Sequence, residues 1–311
     1  MAAVVHWDDV EPHRASEGPF RSSWAALGRA AGSVTVGVNR IQVEPHARST
    51  PLHMEGEEEE IFFVLGGSGL SWQLGDDGEA TYELRPGDCL VHRAGAEAHS
   101  LVAGDDGIDV LAFGTRARPE LAYFPRLHGG RIGPLWAGEL ETHQFTQEAA
   151  LGDPDLPEPS ARPERIVALE EVEPQQFGPS GRTVRAARRD LARAAGSIRT
   201  GLKHVTVEDG KLACPPHCHS AEEEVFVVLD GEGVCILDEE EHPVRRGHVI
   251  GRPAGTGIAH TFRGRNGLAY LAYGTREPND IAYYPRSNKV SFRGIGAVAR
   301  LERLEYWEGE D

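Results

Sequence analysis

The stretch PHCHSAEEE at residues 216–224 decides the fold, together with His260, which follows a Pro-Ala-Gly-Thr-Gly turn. Residues two apart in a β-strand point to the same face, so His217 and His219 can both point into one cavity. Glu224 and His260 would add a carboxylate and a third imidazole from neighbouring strands. These nitrogen and oxygen donors suit a divalent first-row metal ion, namely iron, manganese, nickel, copper or zinc, and leave coordination positions for water or substrate.

The residues after Glu224 predict a buried strand. Residues 225–229 are all apolar, and the run DGEG at 230–233 is typical of a turn, so Glu224 is predicted to open one strand of a hairpin. The glycine-rich run GGSG at 66–69 is likewise predicted to close a hairpin. A phosphate-binding role for that run is not favoured, because no helix or lysine follows it.

The spacing resembles the first motif of the cupin superfamily, which is His-x-His, three or four residues, Glu, six residues and Gly; here His217, His219, Glu224 and Gly231 match it. The second motif of the family is matched by Gly247, Pro253, Gly255 and His260. The chain departs from that motif in a longer gap before His260 and in lacking an Asn four residues beyond it. The resemblance implies a small antiparallel β-barrel with a metal at its centre, bound by His217, His219, Glu224 and His260.

The pattern occurs twice in the chain. The pentapeptide RAAGS at 29–33 returns at 193–197, and LAFGTR at 111–116 returns as LAYGTR at 271–276. Self-similarity at one long period indicates two like domains rather than a solenoid of short repeats. The period falls from 164 to 160 residues after the first hairpin, which predicts a longer hairpin loop in the first copy, at residues 75–78.

The repeat and the resemblance together predict an all-β protein of two tandem antiparallel cupin barrels of the jelly-roll type, with few short helices. The predicted N-terminal cupin domain spans residues 1–152, a proline-rich linker spans 153–163, and the C-terminal cupin domain spans 164–311. The edges of such sheets must be covered. The leaders before Gly32 and Gly196 are available to cover them, either against the partner domain or in a homodimer.

The first copy offers an altered ligand set. Alignment of the two copies places four side chains at the ligand positions: His53, Glu55, Glu60 and His99. Two imidazoles and two carboxylates could form a second metal site that favours harder ions. The alternative is a barrel kept for packing, because one ligand has changed and Arg93 replaces the proline of the turn. Repulsion between the two carboxylates predicts that the first barrel binds metal more weakly and that the second barrel carries any turnover. In the acidic run 57–60, one carboxylate is expected to point inward and the rest into solvent.

The composition favours a globular protein that acts on a small molecule. The 311-residue chain carries 32 basic and 49 acidic residues, a net charge of −17, which repels phosphate backbones and anionic lipid. Nucleic acid and membrane partners are therefore not expected. The sequence has no stretch of about 18 apolar residues and no evident signal peptide. The four scattered cysteines are expected to be reduced thiols, which favours a cytoplasmic location.

The reaction type follows less directly from these residues. A site of three histidines and one glutamate can activate dioxygen, polarise a carbonyl or ionise a water, and the cupin resemblance implies enzymes of each kind as well as non-catalytic binders. The first hypothesis is an oxidoreductase with dioxygenase-type chemistry on a small organic substrate at the C-terminal barrel. The alternatives are a metal-assisted isomerase or lyase acting on a sugar or organic acid, and a binding or sensing protein. No catalytic acid or base can be identified beside the ligands.

Overall fold

The computed structural model describes residues 4–116, 118–139 and 142–310. Its α-helices are short: α1 (Leu27–Ala30), α2 (Gln144–Ala150) and α3 (Leu191–Ala194). The rest of the regular structure is β-strand with a few 3₁₀ turns, and the described strands pair with one another in antiparallel fashion. None of the described helices is long and apolar enough to cross a membrane. The predicted all-β antiparallel fold with few short helices is confirmed.

The first half of the chain contains twelve named strands among its described residues: β1 (Val4–His6), β2 (His13–Glu17), β3 (Phe20–Ala25), β4 (Val36–Val43), β5 (Met54–Glu55), β6 (Glu60–Gly75), β7 (Gly78–Leu84), β8 (Asp88–His92), β9 (Ala98–Thr115), β10 (Leu121–Phe124), β11 (Gly129–Ile132) and β12 (Leu135–Gly138). The second half contains twelve more within the same described ranges: β13 (Ile166–Ala168), β14 (Gln175–Phe177), β15 (Ala186–Asp190), β16 (Thr200–Val207), β17 (Cys218–His219), β18 (Glu224–Leu237), β19 (Glu240–Arg245), β20 (His248–Arg252), β21 (His260–Thr275), β22 (Ile281–Tyr284), β23 (Lys289–Phe292) and β24 (Ala297–Arg300).

These strands build two barrels of the same topology. The first barrel combines a large sheet of order β13-β8-β6-β9-β4-β3-β2, with β7 paired to β6, and a small sheet of order β12-β11-β10-β5. The second barrel combines a large sheet of order β1-β20-β18-β21-β16-β15-β14, with β19 paired to β18, and a small sheet of order β17-β22-β23-β24. The predicted pair of like domains is therefore confirmed.

The two barrels exchange their leader strands. β1 pairs with β20 of the second barrel, with Val4 opposite Ile250, and β13 pairs with β8 of the first barrel, with Ile166 opposite Leu90. Each leader covers an edge of the other barrel's large sheet, as expected for edges that must not stay open. The segment that follows the first barrel packs on it as well, since Pro159 forms a backbone bridge with Thr81. The domain limits given above stay a proposal.

A shared hydrophobic core joins the two barrels. It is built from buried side chains of both halves, including Leu27, Ile61 and Phe113 from the first and Leu191, Val225 and Tyr273 from the second. Phe113 and Tyr273 hold equivalent positions in the repeat, and their ring centroids lie 5.1 Å apart. Removal of apolar surface from water contributes about 25 cal/mol per Å², so this core holds the barrels together as one body.

A reciprocal pair of buried glutamates adds polar contacts to this interface. Glu59 of the first barrel accepts hydrogen bonds from the amides of Ile198 and Thr200 and from the Thr200 hydroxyl. Its counterpart Glu223 accepts hydrogen bonds from the amides of Val34 and Thr35 and from the Thr35 hydroxyl. The expectation that only one carboxylate of the run 57–60 points inward is wrong, because Glu59 is 1% exposed beside the inward-facing Glu60.

The turns predicted at 230–233 and 66–69 are wrong. Each run lies inside one long bent strand, β18 or β6, and register shifts mark a β-bulge around Asp230. Gly231 has a φ of 66°, and a Cβ there would lie 2.4 Å from the carbonyl oxygen of Gly267. Glycine is required because two backbones approach closely at the bend. A glycine-rich bulge of this kind has the same composition as a turn.

The loops of the β6–β7 and β18–β19 hairpins also differ from the prediction. Both hairpins have a two-residue turn, Asp76-Asp77 in the first barrel and Asp238-Glu239 in the second. The extra residues of the first copy mainly lengthen the strands, since β6 and β7 have 16 and 7 residues whereas β18 and β19 have 14 and 6. A longer loop is therefore not what separates the two copies.

A buried histidine on β16 provides a test of the fold by pH. His204 is 8% exposed, and burial, with a smaller contribution from Arg189, lowers its pKa to about 4. In the unfolded chain this ring takes up a proton near pH ~6.5, so protons favour the unfolded state as the pH falls from there towards 4. We expect this group to remove about 3 kcal/mol of unfolding free energy over that interval.

Urea unfolding of His204→Asn at several pH values measures this contribution. The variant should show a smaller loss of stability between neutral and acid pH than the parent protein. His46→Asn is the control, because His46 is exposed and its positive φ of 57° is tolerated by Asn. Equal pH dependence in the parent protein and His204→Asn would show that the buried ring is not the source.

Candidate metal centres

Three neighbouring elements bring the predicted ligands of the second barrel together. His219 lies in the short strand β17, directly after His217, whose backbone bridges that of His260 at the start of β21. Glu224 is the first residue of β18, which pairs with β21. All four side chains therefore come from strand ends at one side of the barrel.

The donor atoms of these side chains lie close to one another. Oε2 of Glu224 is 3.0 Å from Nε2 of His260 and 3.4 Å from Nε2 of His219. The ring centroid of His217 lies 4.8 Å from that of His260 and 4.9 Å from that of His219. Donor atoms of His217, Glu224 and His260 all lie within 4.8 Å of one another. That all four side chains bind a single ion stays a prediction.

The hydrogen bonds around this cluster fit a bound cation. Nδ1 of His217 donates to the carbonyl oxygen of Pro215 at 2.9 Å, so Nε2 is the nitrogen that a metal ion can bind once that nitrogen has lost its proton. Nδ1 of His219 donates to Asp280 Oδ2 at 2.7 Å, and its Nε2 is buried without a hydrogen-bond partner. A buried nitrogen lone pair without a partner is costly in a protein interior and is the group that a divalent metal ion binds.

The protonation states favour metal binding at two of the ligands. Burial raises the pKa of Glu224, but His260, His219 and His217 outweigh it and hold the pKa well below its usual range. Burial lowers the pKa of His260 to about 4. Burial also lowers the pKa of His217, but Cys214, whose sulfur lies 3.7 Å from its Nδ1 and whose own pKa is lowered by this contact, and Glu224 raise the pKa of His217 to about 9. A cation that binds His217 must therefore displace a proton.

Asp280 is a functional candidate that the sequence analysis missed. Its Oδ1 accepts hydrogen bonds from the amides of Ala221 and Glu222, while its Oδ2 orients the ring of His219. Burial raises the pKa of Asp280, but these hydrogen bonds lower it far below its usual range. The carboxylate is therefore charged and fixes the tautomer and the orientation of the His219 ring.

We expect Asp280→Asn to weaken metal binding by about 10- to 100-fold, which is the usual effect of losing a carboxylate behind a histidine ligand. The asparagine keeps the size of the side chain and an acceptor for the two amides, so the fold should be retained. Competition for zinc with a chelator of known affinity measures the change. Unaltered affinity in a folded variant would show that Asp280 does not act on the ligand.

The first barrel repeats part of this arrangement. Nε2 of His99 lies 2.9 Å from Oε2 of Glu60, and Nδ1 of His53 donates to the carbonyl oxygen of Pro51 at 2.9 Å, as His217 does to Pro215. Donor atoms of His53, Glu60 and His99 lie within 4.8 Å of one another. Glu55, in β5, lies with Oε1 at 3.5 Å from Nε2 of His53. The residues of the predicted second site are thus also adjacent.

The electrostatics of the first cluster differ from those of the second. Burial raises the pKa of Glu55, with a further contribution from the charge of Glu60, to about 9. The neutral state of Glu55 is therefore favoured, in line with the expected repulsion between the two carboxylates. The ring of His99 also stacks on the buried ring of His92, with a centroid distance of 3.9 Å. His92 lies opposite Glu60 in the strand register, and Arg252 lies opposite Glu224 at the same place in the second barrel.

Both clusters are reached through cavities of similar size. The cavity of the first barrel has a volume of about 580 Å³ and is bounded partly by Phe145 of α2. The cavity of the second barrel has a volume of about 540 Å³ and contains His217, Glu224 and His260 in its wall. The repeat also includes YFPR at 123–126 and YYPR at 283–286. An aromatic ring from each of these segments stacks beside the first histidine of its cluster: Phe124 at 6.2 Å from His53 and Tyr284 at 5.5 Å from His217. Either volume is enough for a small organic molecule.

The family model described as the cupin domain matches residues 39–112 and again residues 203–271. No curated protein matches the chain. Among solved structures, oxalate decarboxylase from Bacillus subtilis at pH 4.6 is 16% identical over 88% of this chain and 76% of that one, with a TM-score of 0.59. The formate complex of oxalate decarboxylase from Lactobacillus farciminis is 14% identical over 91% of this chain and 88% of that one, with a TM-score of 0.60.

A further structure of the Bacillus subtilis enzyme, described by its Mn(II) centers, is 16% identical over 88% of this chain and 77% of that one, with a TM-score of 0.57. At these low sequence identities, the structural similarity shows that the fold is shared. The two matched regions coincide with the repeated β-sheet segments. Each region contains all the candidate ligands of its barrel: His53, Glu55, Glu60 and His99 in the first, and His217, His219, Glu224 and His260 in the second.

Proposed function

We propose that this chain, which belongs to the cupin superfamily as a protein of two tandem cupin domains, is a metal-dependent enzyme that turns over a small organic substrate at its second barrel. The observation that carries the proposal is the cluster of His217, Glu224 and His260 in the wall of a cavity of about 540 Å³. Metal donors that line a cavity of this size can hold an ion in contact with a substrate, whereas a purely structural ion is usually closed off by its ligands.

The residues that would hold the ion are His217, His219, Glu224 and His260, and the candidate elements are iron, manganese, nickel, copper and zinc. When bound, such an ion supplies Lewis acidity or, for a redox-active element, dioxygen chemistry. The protein itself contributes an ionised Glu224, a neutral His260 and the Asp280 carboxylate that orients His219. Phe226 and Phe262 contribute apolar surface to the cavity and limit the water around the reacting atoms.

Dioxygenase-type chemistry is the first reaction class within this proposal, because three imidazoles and one carboxylate suit iron. A metal-assisted lyase or isomerase is the alternative, and the shared fold with oxalate decarboxylases supports keeping it. A cytoplasmic location also belongs to the proposal, since all four cysteines are free thiols.

The test combines metal analysis of anaerobically purified protein with two activity assays on the same preparation. A panel of phenols, diketones, thiols, sugars and short carboxylic acids is first screened for oxygen uptake and then for product formation without oxygen. Oxygen uptake supports the dioxygenase, and anaerobic turnover supports the lyase or isomerase. If the protein holds stoichiometric metal and binds a substrate but shows no turnover in either assay, it is a binding protein rather than an enzyme.

A further inference from the structure

The inner walls of the two barrels can be compared residue by residue through the strand registers. Trp24 lies opposite Ile41 in the first barrel, and Arg188 lies opposite Val205 at the same place in the second. Asn39 lies opposite Ala112, and Lys203 lies opposite Ala272. All four of these compared side chains, Trp24, Asn39, Arg188 and Lys203, line the cavity of their own barrel. Two neutral side chains of the first barrel are thus replaced by two cations in the second.

Each of the other arginines in the second cavity wall has a carboxylate oxygen within 4.0 Å. Arg293 pairs with Glu222 at 2.8 Å. Arg193 and Arg276 lie 3.7 Å and 3.9 Å from the carboxylate of Asp190. These arginines are therefore engaged in ion pairs that the folded chain already supplies.

Lys203 and Arg188 differ from them in their contacts. Within the described ranges, neither has a carboxylate oxygen within 4.0 Å. Arg188 donates instead to the carbonyl oxygen of Ala213 at 3.0 Å, and its guanidinium lies 3.5 Å from the ring centroid of Phe177. These contacts fix the position of Arg188 without neutralising its charge. Two cations therefore face the cavity without a direct ion pair, close to the metal-ligand cluster. Asp190, opposite Lys203 on the neighbouring strand, and Glu224 act on Lys203 only over a longer distance, and Asp190 already lies beside Arg193 and Arg276.

The physical cost of this arrangement points to a ligand. Partly buried cations lose hydration, and a protein interior compensates for that loss with an opposite charge. The chain carries a net charge of −17, so its overall electrostatic field repels anions. An anion in this cavity must therefore be attracted by the nearby cations. A carboxylate held between Lys203 and Arg188 would supply both charge and hydrogen-bond acceptors.

We propose that the second barrel selects substrates that carry a carboxylate, which Lys203 and Arg188 bind while the rest of the molecule reaches the metal-ligand cluster, and that the first barrel, with Asn39 and Trp24 at these places, does not. This inference names the substrate class of the proposed enzyme and rests on that function for its meaning, but anion binding itself requires no turnover. Lys203 and Arg188 are specificity-determining residues in this account.

Calorimetry on zinc-loaded protein tests the inference without an activity assay. The probes are aliphatic dicarboxylates from malonate to adipate and the corresponding neutral diamides. We expect at least one dicarboxylate to bind more tightly than its diamide, and Lys203→Asn, which introduces the first-barrel residue, to weaken that binding by about 10- to 100-fold. Arg188→Gln should have a similar effect, and neither change should alter binding of the diamide.

Three controls make the outcome decisive. Lys211→Asn changes the net charge equally at a site outside the cavity wall, so it should leave binding unchanged. Lys203→Arg should restore much of the affinity, which separates a charge effect from a folding defect. Metal content is measured after each titration, because dicarboxylates also chelate zinc. If no dicarboxylate binds better than its diamide, or if Lys203→Asn and Lys211→Asn behave alike, the inference is wrong even if the protein proves to be an enzyme.

Discussion

Replacement of Glu59 by Ala is expected to destabilise the protein by about 3–5 kcal/mol. The carboxylate is 1% exposed and accepts hydrogen bonds from the amides of Ile198 and Thr200 and from the Thr200 hydroxyl. Its removal leaves these donors buried without an acceptor at the interface between the barrels. Urea unfolding followed by far-UV circular dichroism measures the change, at a fixed metal concentration so that ligand binding does not alter the apparent stability.

The reciprocal glutamate provides a matched comparison. Glu223→Ala removes the acceptor for two amides and one hydroxyl on the other side of the interface, so its effect should be of similar size. Glu57→Ala is the surface control, because that carboxylate is 55% exposed, and it should change stability by less than about 0.5 kcal/mol. If Glu59→Ala were as mild as Glu57→Ala, the interface would not depend on these hydrogen bonds.

Loss of a ligand in the second barrel is expected to have the largest effect on activity. His260→Ala should lower turnover by more than about 100-fold, because losing a direct ligand should exceed the effect of losing a group behind it. Glu224→Gln should weaken metal binding without unfolding the barrel, since the volume of the side chain is kept. Metal content per chain and the turnover rate with the substrate found by screening are the two measurements.

The corresponding change in the first barrel serves as the control. His99→Ala should leave most of the turnover intact, because the first cluster is expected to bind metal more weakly than the second. Its additional carboxylate, Glu55, has a pKa that burial and the charge of Glu60 raise to about 9. Activity that survives in His260→Ala but disappears in His99→Ala would place the active site in the other barrel. Equal losses in both variants would instead indicate that the barrels depend on each other.

Short-range patterns in the sequence were sufficient for the fold and for the adjacency of the ligand candidates. His217, His219 and Glu224 lie within eight residues, and the start of a strand at Glu224 follows from the apolar run behind it. The internal repeat then extends the same fold to the first half. Such information is local. Because side chains alternate between the two faces of a strand, the position of a residue in the strand gives the direction of its side chain.

The features that the sequence did not predict depend on distant contacts. Asp280 lies 61 residues from the histidine that it orients, and nothing in its own neighbourhood distinguishes it from the other acidic residues. In the sequence, Glu59 cannot be distinguished from the other carboxylates of the acidic run 57–60. The residues that bind its carboxylate, Ile198 and Thr200, belong to the second half of the chain. The runs around Gly67 and Gly231 were mistaken for turns, because the need for glycine arises from a second strand, at Gly107 and Gly267.

The exchange of leader strands has a consequence for how the chain folds during synthesis. The partner of Val4 is Ile250, so the ribosome must add 246 further residues before β1 can find its place. At about 5–20 residues per second, this takes roughly 12–50 s. The strand β1 therefore leaves the ribosome before the rest of the first barrel but is among the last strands to be incorporated, and until then both β1 and the first barrel depend on contacts other than the final ones. In a nascent chain, the β1 segment should stay sensitive to protease after the first barrel has become resistant.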